Sequence, residues 1–212
     1  MQASSLNDTQ SISLPRIILG STSIFRKQLL EKLNLPFDQL APDIDETPLK
    51  DETPKEMVAR LSKQKAEVIA KQSPNSIVIG SDQTAVFNNL PIGKPHTFDK
   101  AVEQLTLFSG QTITFYTGLS VINTATQQTY EAMDITKVHF RELSTESIKN
   151  YIEIEQPLKC AGSFKSEGLG ITLFNEIESK DPNALIGLPL IELTTIFQKM
   201  GFTLPLKPTS QV

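Results

Sequence analysis

The sequence predicts an α/β fold in which helices flank a mixed β-sheet. Three observations carry this. Short β-branched, apolar runs at Arg16–Leu19 and Ile77–Ile79 read as buried strands. They alternate with stretches of helical periodicity, four of which are headed by Ser or Thr at a capping position. Two long alternating segments, Thr112–Ile122 and Thr129–His139, flank the turn-forming residues 123–128, which is a hairpin pattern.

The elements follow in order. The first strand, Arg16–Leu19, ends at Gly20. Ser21-Thr22-Ser23 then caps a helix running to about Leu33, with Ile24, Phe25, Leu29, Leu30 and Leu33 at helical spacing and Asn34 as its stop. Residues 35–52 read as a loop carrying the acidic stretch Asp43-Ile44-Asp45-Glu46. Thr53-Pro54-Lys55-Glu56 is a capping box with proline at the first helical position, and its helix reaches about Lys71. The strand at Ile77–Ile79 ends in Gly80-Ser81-Asp82-Gln83. Gly93-Lys94-Pro95 is a turn, and Thr97 caps a helix ending at Ser109-Gly110. After the hairpin, Ser144 starts a helix reaching Glu153. Gly162, Gly168 and Gly170 break the next stretch into loops and short strands. The last helix begins near Pro189 and stops at Gly201.

Composition bounds the function. The chain has 212 residues, 20 Lys plus Arg against 24 Asp plus Glu, and a formal net charge of -4. That balance excludes a broad basic surface for a nucleic-acid polymer. It does not bear on a small anionic ligand, which feels a local site. Cys160 is the single cysteine, so no internal disulfide forms, and a reducing, cytoplasmic setting is expected. No apolar run approaches the roughly 18 residues that span a bilayer, so no membrane partner is expected. The polar start of the chain has neither the basic nor the apolar part of a signal peptide. Residues 1–14 are expected to be a disordered tail, and 15–212 a single domain.

Four places offer chemistry. In Gly20-Ser21-Thr22-Ser23-Ile24-Phe25-Arg26 a strand runs through a small-residue turn into a helix. Helix-start amides, hydroxyls and the planar fork of Arg26 suit a phosphate, and Ser/Thr capping beside a surface Arg gives the same pattern. The spacing matches neither GxxxxGK[ST] nor GxGxxG, which disfavours a dehydrogenase. Asp82 stands just past a strand end, where α/β ligand sites gather. It either holds Mg²⁺, activates a water or caps a turn. Asp43, Asp45 and Glu46 supply hard oxygens or a solvated loop. Lys65, Lys94 and Lys165 are scattered cations, with Lys94 fixed in a tight turn and Lys165 in a charged, glycine-rich loop. His96 and His139 have no partner at metal spacing, and Cys160 reads as a small core residue.

These segments together resemble the Maf-like nucleotide pyrophosphatases. The resemblance rests on the Gly-Ser-x-Ser-x-x-Arg-x-x-Leu-Leu pattern within Ile17–Leu30, on Ala41-Pro42-Asp43-Ile44-Asp45-Glu46-Thr47, on Ile79-Gly80-Ser81-Asp82-Gln83 and on Ile92-Gly93-Lys94-Pro95, in that order. It covers Arg16 to about Leu206. Ile24 departs from the proline usual there, which is a matter of helix initiation rather than chemistry. Later segments, namely Phe115–Leu119, Cys160–Gly168, Asp181-Pro182-Asn183 and Gly187–Leu190, are similar to the 7-methyl-GTP branch rather than the dTTP/UTP branch.

The resemblance implies a Maf/ITPase-like fold of two lobes around a central cleft. It implies hydrolysis of a nucleoside triphosphate between the α and β phosphates, a divalent cation (Mg²⁺ or Mn²⁺) and a homodimer. Asp82 falls on the proton acceptor and, with Glu46, on acidic positions suited to metal. Ser21, Arg26, Lys65, Lys94 and Lys165 fall on phosphate-facing positions. Phe25, Gln83 and Glu167 fall on positions tied to base choice. A base methylated at N7 is cationic, which suits the Glu167 carboxylate and a stacked Phe25, although Phe25 equally fits the apolar stripe of its helix. The alternatives are a dTTP/UTP pyrophosphatase and a nucleotide-sensing regulator of cell division that does not hydrolyse.

Overall fold

The computed structural model describes residues 14–206. The expected tail lies, except for Leu14, outside these residues, and Leu14 itself packs against the core. The elements are β1 (Arg16–Gly20), α1 (Ile24–Glu31), β2 (Asp38–Leu40), α2 (Pro54–Ala70), β3 (Ser76–Phe87), β4 (Leu90–Ile92), α3 (Phe98–Phe108), β5 (Thr112–Asn123), β6 (Gln128–Phe140), α4 (Thr145–Glu155), β7 (Phe174–Glu178) and α5 (Leu190–Lys199).

The strands form a mixed sheet in the order β2-β1-β3-β5-β6-β7, with β4 also on β3. β2, β1 and β3 are parallel, and the remaining pairings are antiparallel. The capping predictions hold: Ser23, Thr97 and Ser144 accept from amides of the first turn. The Thr53–Glu56 box closes in both directions.

Three long strands organise the molecule. The first half of β3 and the second half of the antiparallel β5 contribute Ile77, Ile79, Leu119 and Val121 to a core with β1, α1 and α5. Their other halves contribute Ala85, Ile113 and Phe115 to a second core, where α3, α4, Phe140, Phe164 and Phe174 pack. α2 covers the opposite face through Ala66 and Ile69 against Ile18 and Val78. The two lobes therefore share continuous strands, and the cleft opens where those strands pass from one core to the other. No helix among the described residues is long and apolar enough to cross a membrane.

Two local expectations change. β3 does not end near Gly80 but runs on to Phe87, in unbroken register with β5 from Ile77 to Val86. Tertiary pairing overrides the weak strand preference of Gly, Ser and Asp. α1 stops at Glu31, and its first residue Ile24 is exposed rather than part of the core stripe.

Candidate active site

The site lies in a gap in the sheet. β1 accompanies β3 only as far as the pair Gly20↔Gly80. β4 takes up that edge again from Ala85. Between them, residues 81–84 have a strand neighbour on one side only. Asp82 sits in this gap, in mid-strand rather than past a strand end. What ends there is β1, whose chain turns away through Ser21–Ser23 into α1.

A cleft of about 830 Å³ opens over the gap. Its wall includes Ser21–Arg26, Glu46, Lys65, Asp82, Gln83, Lys94 and Glu167, so all the sequence-predicted site residues except Lys165 meet there. The Lys165 ammonium instead pairs with Glu155 Oε1 at 3.1 Å and donates to the Glu155 carbonyl oxygen at 2.7 Å. Of the residues expected to face phosphates, Lys165 is the one that the structure places outside the cleft wall, paired with Glu155. A further cation, Lys159, lines the cleft without any motif to mark it. Its exposed lysine carries no local signal, and only the fold of the 157–164 segment reveals it.

Lys65 reaches the gap because α2 lies directly on the sheet. At Gly80 a Cβ atom would fall 2.6 Å from the Ala66 amide nitrogen, and at Gly118 it would fall 2.8 Å from Ser62 Oγ. Glycine at both positions lets helix backbone touch strand backbone. Lys65, only 5% exposed, thereby sets its ammonium 2.6 Å from Asp82 Oδ1 and 2.9 Å from Glu46 Oε1. One buried cation links two carboxylates. Asp82, 7% exposed, keeps Oδ2 without a partner among the described residues.

Glu46 arrives on a loop that α2 also holds. Arg60 donates to both oxygens of Glu52, at 2.6 and 2.7 Å, and to the Thr47 carbonyl at 3.2 Å. The Arg60 hydrogen bonds bring the Glu52 carboxyl down to about 2. Of the acidic stretch only Glu46 lines the cleft. Asp45 is used locally, accepting from the Thr47 amide at 2.9 Å.

The turn before α1 is tied down on three sides. Ser21 Oγ accepts from the Ser23 amide, and Gln39 of β2 donates to the carbonyls of Ser21 and Ser23. Arg26 Nε donates to the Gly187 carbonyl at 2.8 Å, which also receives Ser81 Oγ at 3.0 Å. Burial pushes the guanidinium below its ordinary value, while Asp82 and Glu46 oppose that shift. Ser23 Oγ takes the Arg26 amide, and the amides of Ile24 and Phe25, residues of the cleft wall, keep no partner among the described residues. Arginine keeps its charge throughout.

At the other end the geometry sharpens two readings. Phe25 is half-buried in the cleft wall and belongs to none of the core clusters, so its core alternative falls away. Gln83 Nε2 donates to Thr117 Oγ1, the Ala184 carbonyl and the Leu185 carbonyl at 2.8–3.0 Å. Both amide hydrogens are committed, leaving Oε1 as an acceptor for a ligand. Cys160 is a cleft residue rather than a core one, and burial raises its thiol to about 11. It stays protonated at neutral pH and is a poor nucleophile. His139 is held by Thr112 and Glu178, and neither histidine lines the cleft.

The comparisons with known proteins agree with this picture. A family model described as Maf-like protein matches residues 16–200. The chain belongs to the Maf-like family. A Hydrogenovibrio crunogenus protein named 7-methyl-GTP pyrophosphatase is 57% identical over 192 residues, covering 91% of this Maf-like chain and 96% of that protein. Proteins of the same name from Vibrio cholerae and Nitrosococcus oceani are 55% and 50% identical, covering 88% and 89% of this chain and 96% and 94% of theirs. Among solved structures, the HAM1 protein of Coxiella burnetii aligns with a TM-score of 0.52 at 16% identity, over 88% of this chain and all of its own. The Ham1 protein of Staphylococcus aureus aligns with a TM-score of 0.50 at the same identity and coverage. At that identity the likeness is one of fold, and it bears out the expected two-lobed mixed α/β architecture.

Proposed function

We propose that this Maf-like protein hydrolyses 7-methyl-GTP, or a closely similar modified nucleotide, to the monophosphate and pyrophosphate. The observation that carries the proposal is Asp82: buried in the sheet gap, with one oxygen gripped by Lys65 and the other open to the cleft. The relatives named for this activity at 50–57% identity support the substrate assignment.

A triphosphate brings about four negative charges, and the cleft offers Arg26, Lys65, Lys94 and Lys159 together with the first amides of α1. Water attacks the α phosphorus, the bond from that phosphorus to the α–β bridging oxygen breaks, and pyrophosphate leaves with the bridging oxygen. Asp82 Oδ2 accepts the proton that the water gives up. Lys65, fixed between Asp82 and Glu46, holds that carboxylate in place and lowers the cost of gathering negative charge around it. No covalent protein nucleophile is needed, and the protonated Cys160 supplies none.

A divalent cation fits the donor set. Among the described residues no three His, Cys, Asp or Glu side chains gather to hold a metal by themselves. Glu46 and Asp82 nevertheless supply hard carboxylate oxygens, and Mg²⁺ commonly takes only one or two carboxylates together with substrate phosphates and water. When bound, such an ion neutralises phosphate charge and polarises the reacting oxygens.

Base choice falls to Phe25, Gln83 and Glu167. Methylation at N7 gives guanine a positive charge, which the Glu167 carboxylate balances while accepting from N–H groups. Phe25 stacks on the cationic ring. Gln83 Oε1 adds one acceptor. A homodimer and a cytoplasmic setting belong to the same proposal, supported by the family resemblance and tested by sedimentation and by fractionation of cells.

The test is a panel of canonical and modified triphosphates with Mg²⁺ or Mn²⁺, following pyrophosphate release. The proposal expects 7-methyl-GTP to lead the panel. Preference for dTTP or UTP overturns the substrate assignment, and tight binding without turnover makes the protein a sensor instead.

A further inference from the structure

The loop that carries Glu167 is held from outside the cleft, at both ends, by one side chain. Glu155 stands in the last turn of α4, where a carboxylate is unfavourable beside the helix carbonyls. It is retained there in a specific set of contacts. Oε1 pairs with Lys165 Nζ at 3.1 Å, and Oε2 accepts from the Leu169 amide at 2.8 Å. The Lys165 ammonium also donates to the Glu155 carbonyl oxygen, which returns a cation to the helix C-terminus. One turn earlier on α4, the Tyr151 hydroxyl accepts from the Lys165 amide at 3.0 Å.

These bonds fix residues 165 and 169. Only Ser166, Glu167 and Gly168 lie between them, and Ser166 and Glu167 line the cleft. The loop is closed on itself as well, since the Lys165 carbonyl accepts from the amides of Gly168 and Gly170. Gly168 fits this arrangement because a Cβ there would lie 2.6 Å from Glu155 Oε2. The Leu169 amide, and then Lys165, hold the Glu155 carboxyl below its usual range against the opposing effect of burial.

We infer that Glu155 is a positioning residue for base selection: through Lys165 and the Leu169 amide it sets where the Glu167 carboxylate stands in the cleft. This rests on the reading of Glu167 as the group that selects the base. The place of Lys165 outside the cleft wall is then explained: a lysine two residues before the selecting carboxylate serves as its anchor.

The experiment compares Glu155→Gln, Gly168→Ala and the double variant with the parent, each checked for an unchanged circular dichroism spectrum. Lys165→Met stands in for Glu155→Gln if that variant does not fold. The readout is the ratio of kcat/KM for 7-methyl-GTP to that for GTP. Both single variants should lower this ratio about tenfold, the factor that follows from losing one charge-assisted hydrogen bond. The double variant should be no worse than either single one, because both act on one contact. Equal losses on both substrates, with the ratio unmoved, would make Glu155 merely structural and overturn the inference.

Two controls separate the inference from the reading beneath it. Glu167→Ala must itself lower the ratio; if it does not, the base reading fails. Hydrogen exchange at the Leu169 amide must quicken in Glu155→Ala, which removes both acceptor oxygens; if it does not, the anchor is absent whatever Glu167 does.

Discussion

Replacing Gly80 by alanine tests how α2 delivers Lys65 to the site. A Cβ at Gly80 would stand 2.6 Å from the Ala66 amide nitrogen and nearer still to the Ser62 carbonyl oxygen, where ordinary contact begins near 3.4 Å. Both atoms are helix backbone, so no rotamer change relieves the clash, and α2 must retreat by roughly 1 Å. Overpacking of this kind costs about 1–3 kcal/mol. Alanine's smaller unfolded-state entropy offsets about 0.4–1 kcal/mol of that. The net loss, about 0–2.6 kcal/mol, lowers Tm by up to roughly 10 °C in a chain of this size. Activity should fall further, because an ångström of misplacement costs about a hundredfold, and the 2.6 Å Lys65–Asp82 contact moves with the helix. Thermal unfolding followed by circular dichroism and kcat on 7-methyl-GTP measure the two effects. Gly93→Ala is the control for stability, since a Cβ there meets nothing within 4 Å. A Gly80→Ala protein as stable and as active as the parent would refute the account of how α2 docks.

Other perturbations separate the parts of the site. Asp82→Asn should remove turnover while leaving the unfolding transition cooperative; an active variant would strip Asp82 of its role as proton acceptor. Phe25→Ala should weaken the preference for the methylated base about 2–30-fold, the range of a cation–π contact. It should cost little stability, because Phe25 lies outside the core clusters, and a large fall in Tm would return it to the core. The Glu52 carboxyl lies at about 2 against an ordinary 4.5. A depressed carboxyl contributes its full stability above 4.5 and loses it as pH falls toward about 2. Acid should therefore loosen the Glu46 loop in that window, and Arg60→Met should remove this component; identical acid unfolding curves would contradict it. Cys160 should alkylate slowly at neutral pH and quicken as pH rises toward about 11. Fast labelling at pH 7 would show a thiolate that the cleft is not built to stabilise.

Much of the fold was legible because local chemistry announced it. Thr53 and Glu56 close the capping box expected of them, and the 112–140 hairpin follows from strict alternation. What stayed hidden was non-local. β2 and β4 have three residues each, too few to show a period, and form only by pairing with β1 and β3. β3 continues through Gly-Ser-Asp because β5 lies beside it, which no local preference reveals. The candidate site divides in the same way. Asp82, Arg26 and Glu46 were marked by motif order, and the structure brings them together. The partner of Lys165 is Glu155 on the preceding helix, and the committed amide of Gln83 depends on residues 184–185, far away in sequence; neither contact has a local signal. Lysine is also ambiguous by nature: the same side chain serves as the internal anchor at 165 and as cleft wall at 159.

If water, directed by Asp82, attacks the α phosphorus of a 7-methylated guanosine triphosphate, hydrolysis in ¹⁸O-labelled water, with mass spectrometry of both products, places the label wholly in 7-methyl-GMP and leaves the pyrophosphate unlabelled. Label in pyrophosphate, or release of orthophosphate in place of pyrophosphate, would place the attack at another phosphorus and contradict this mechanism.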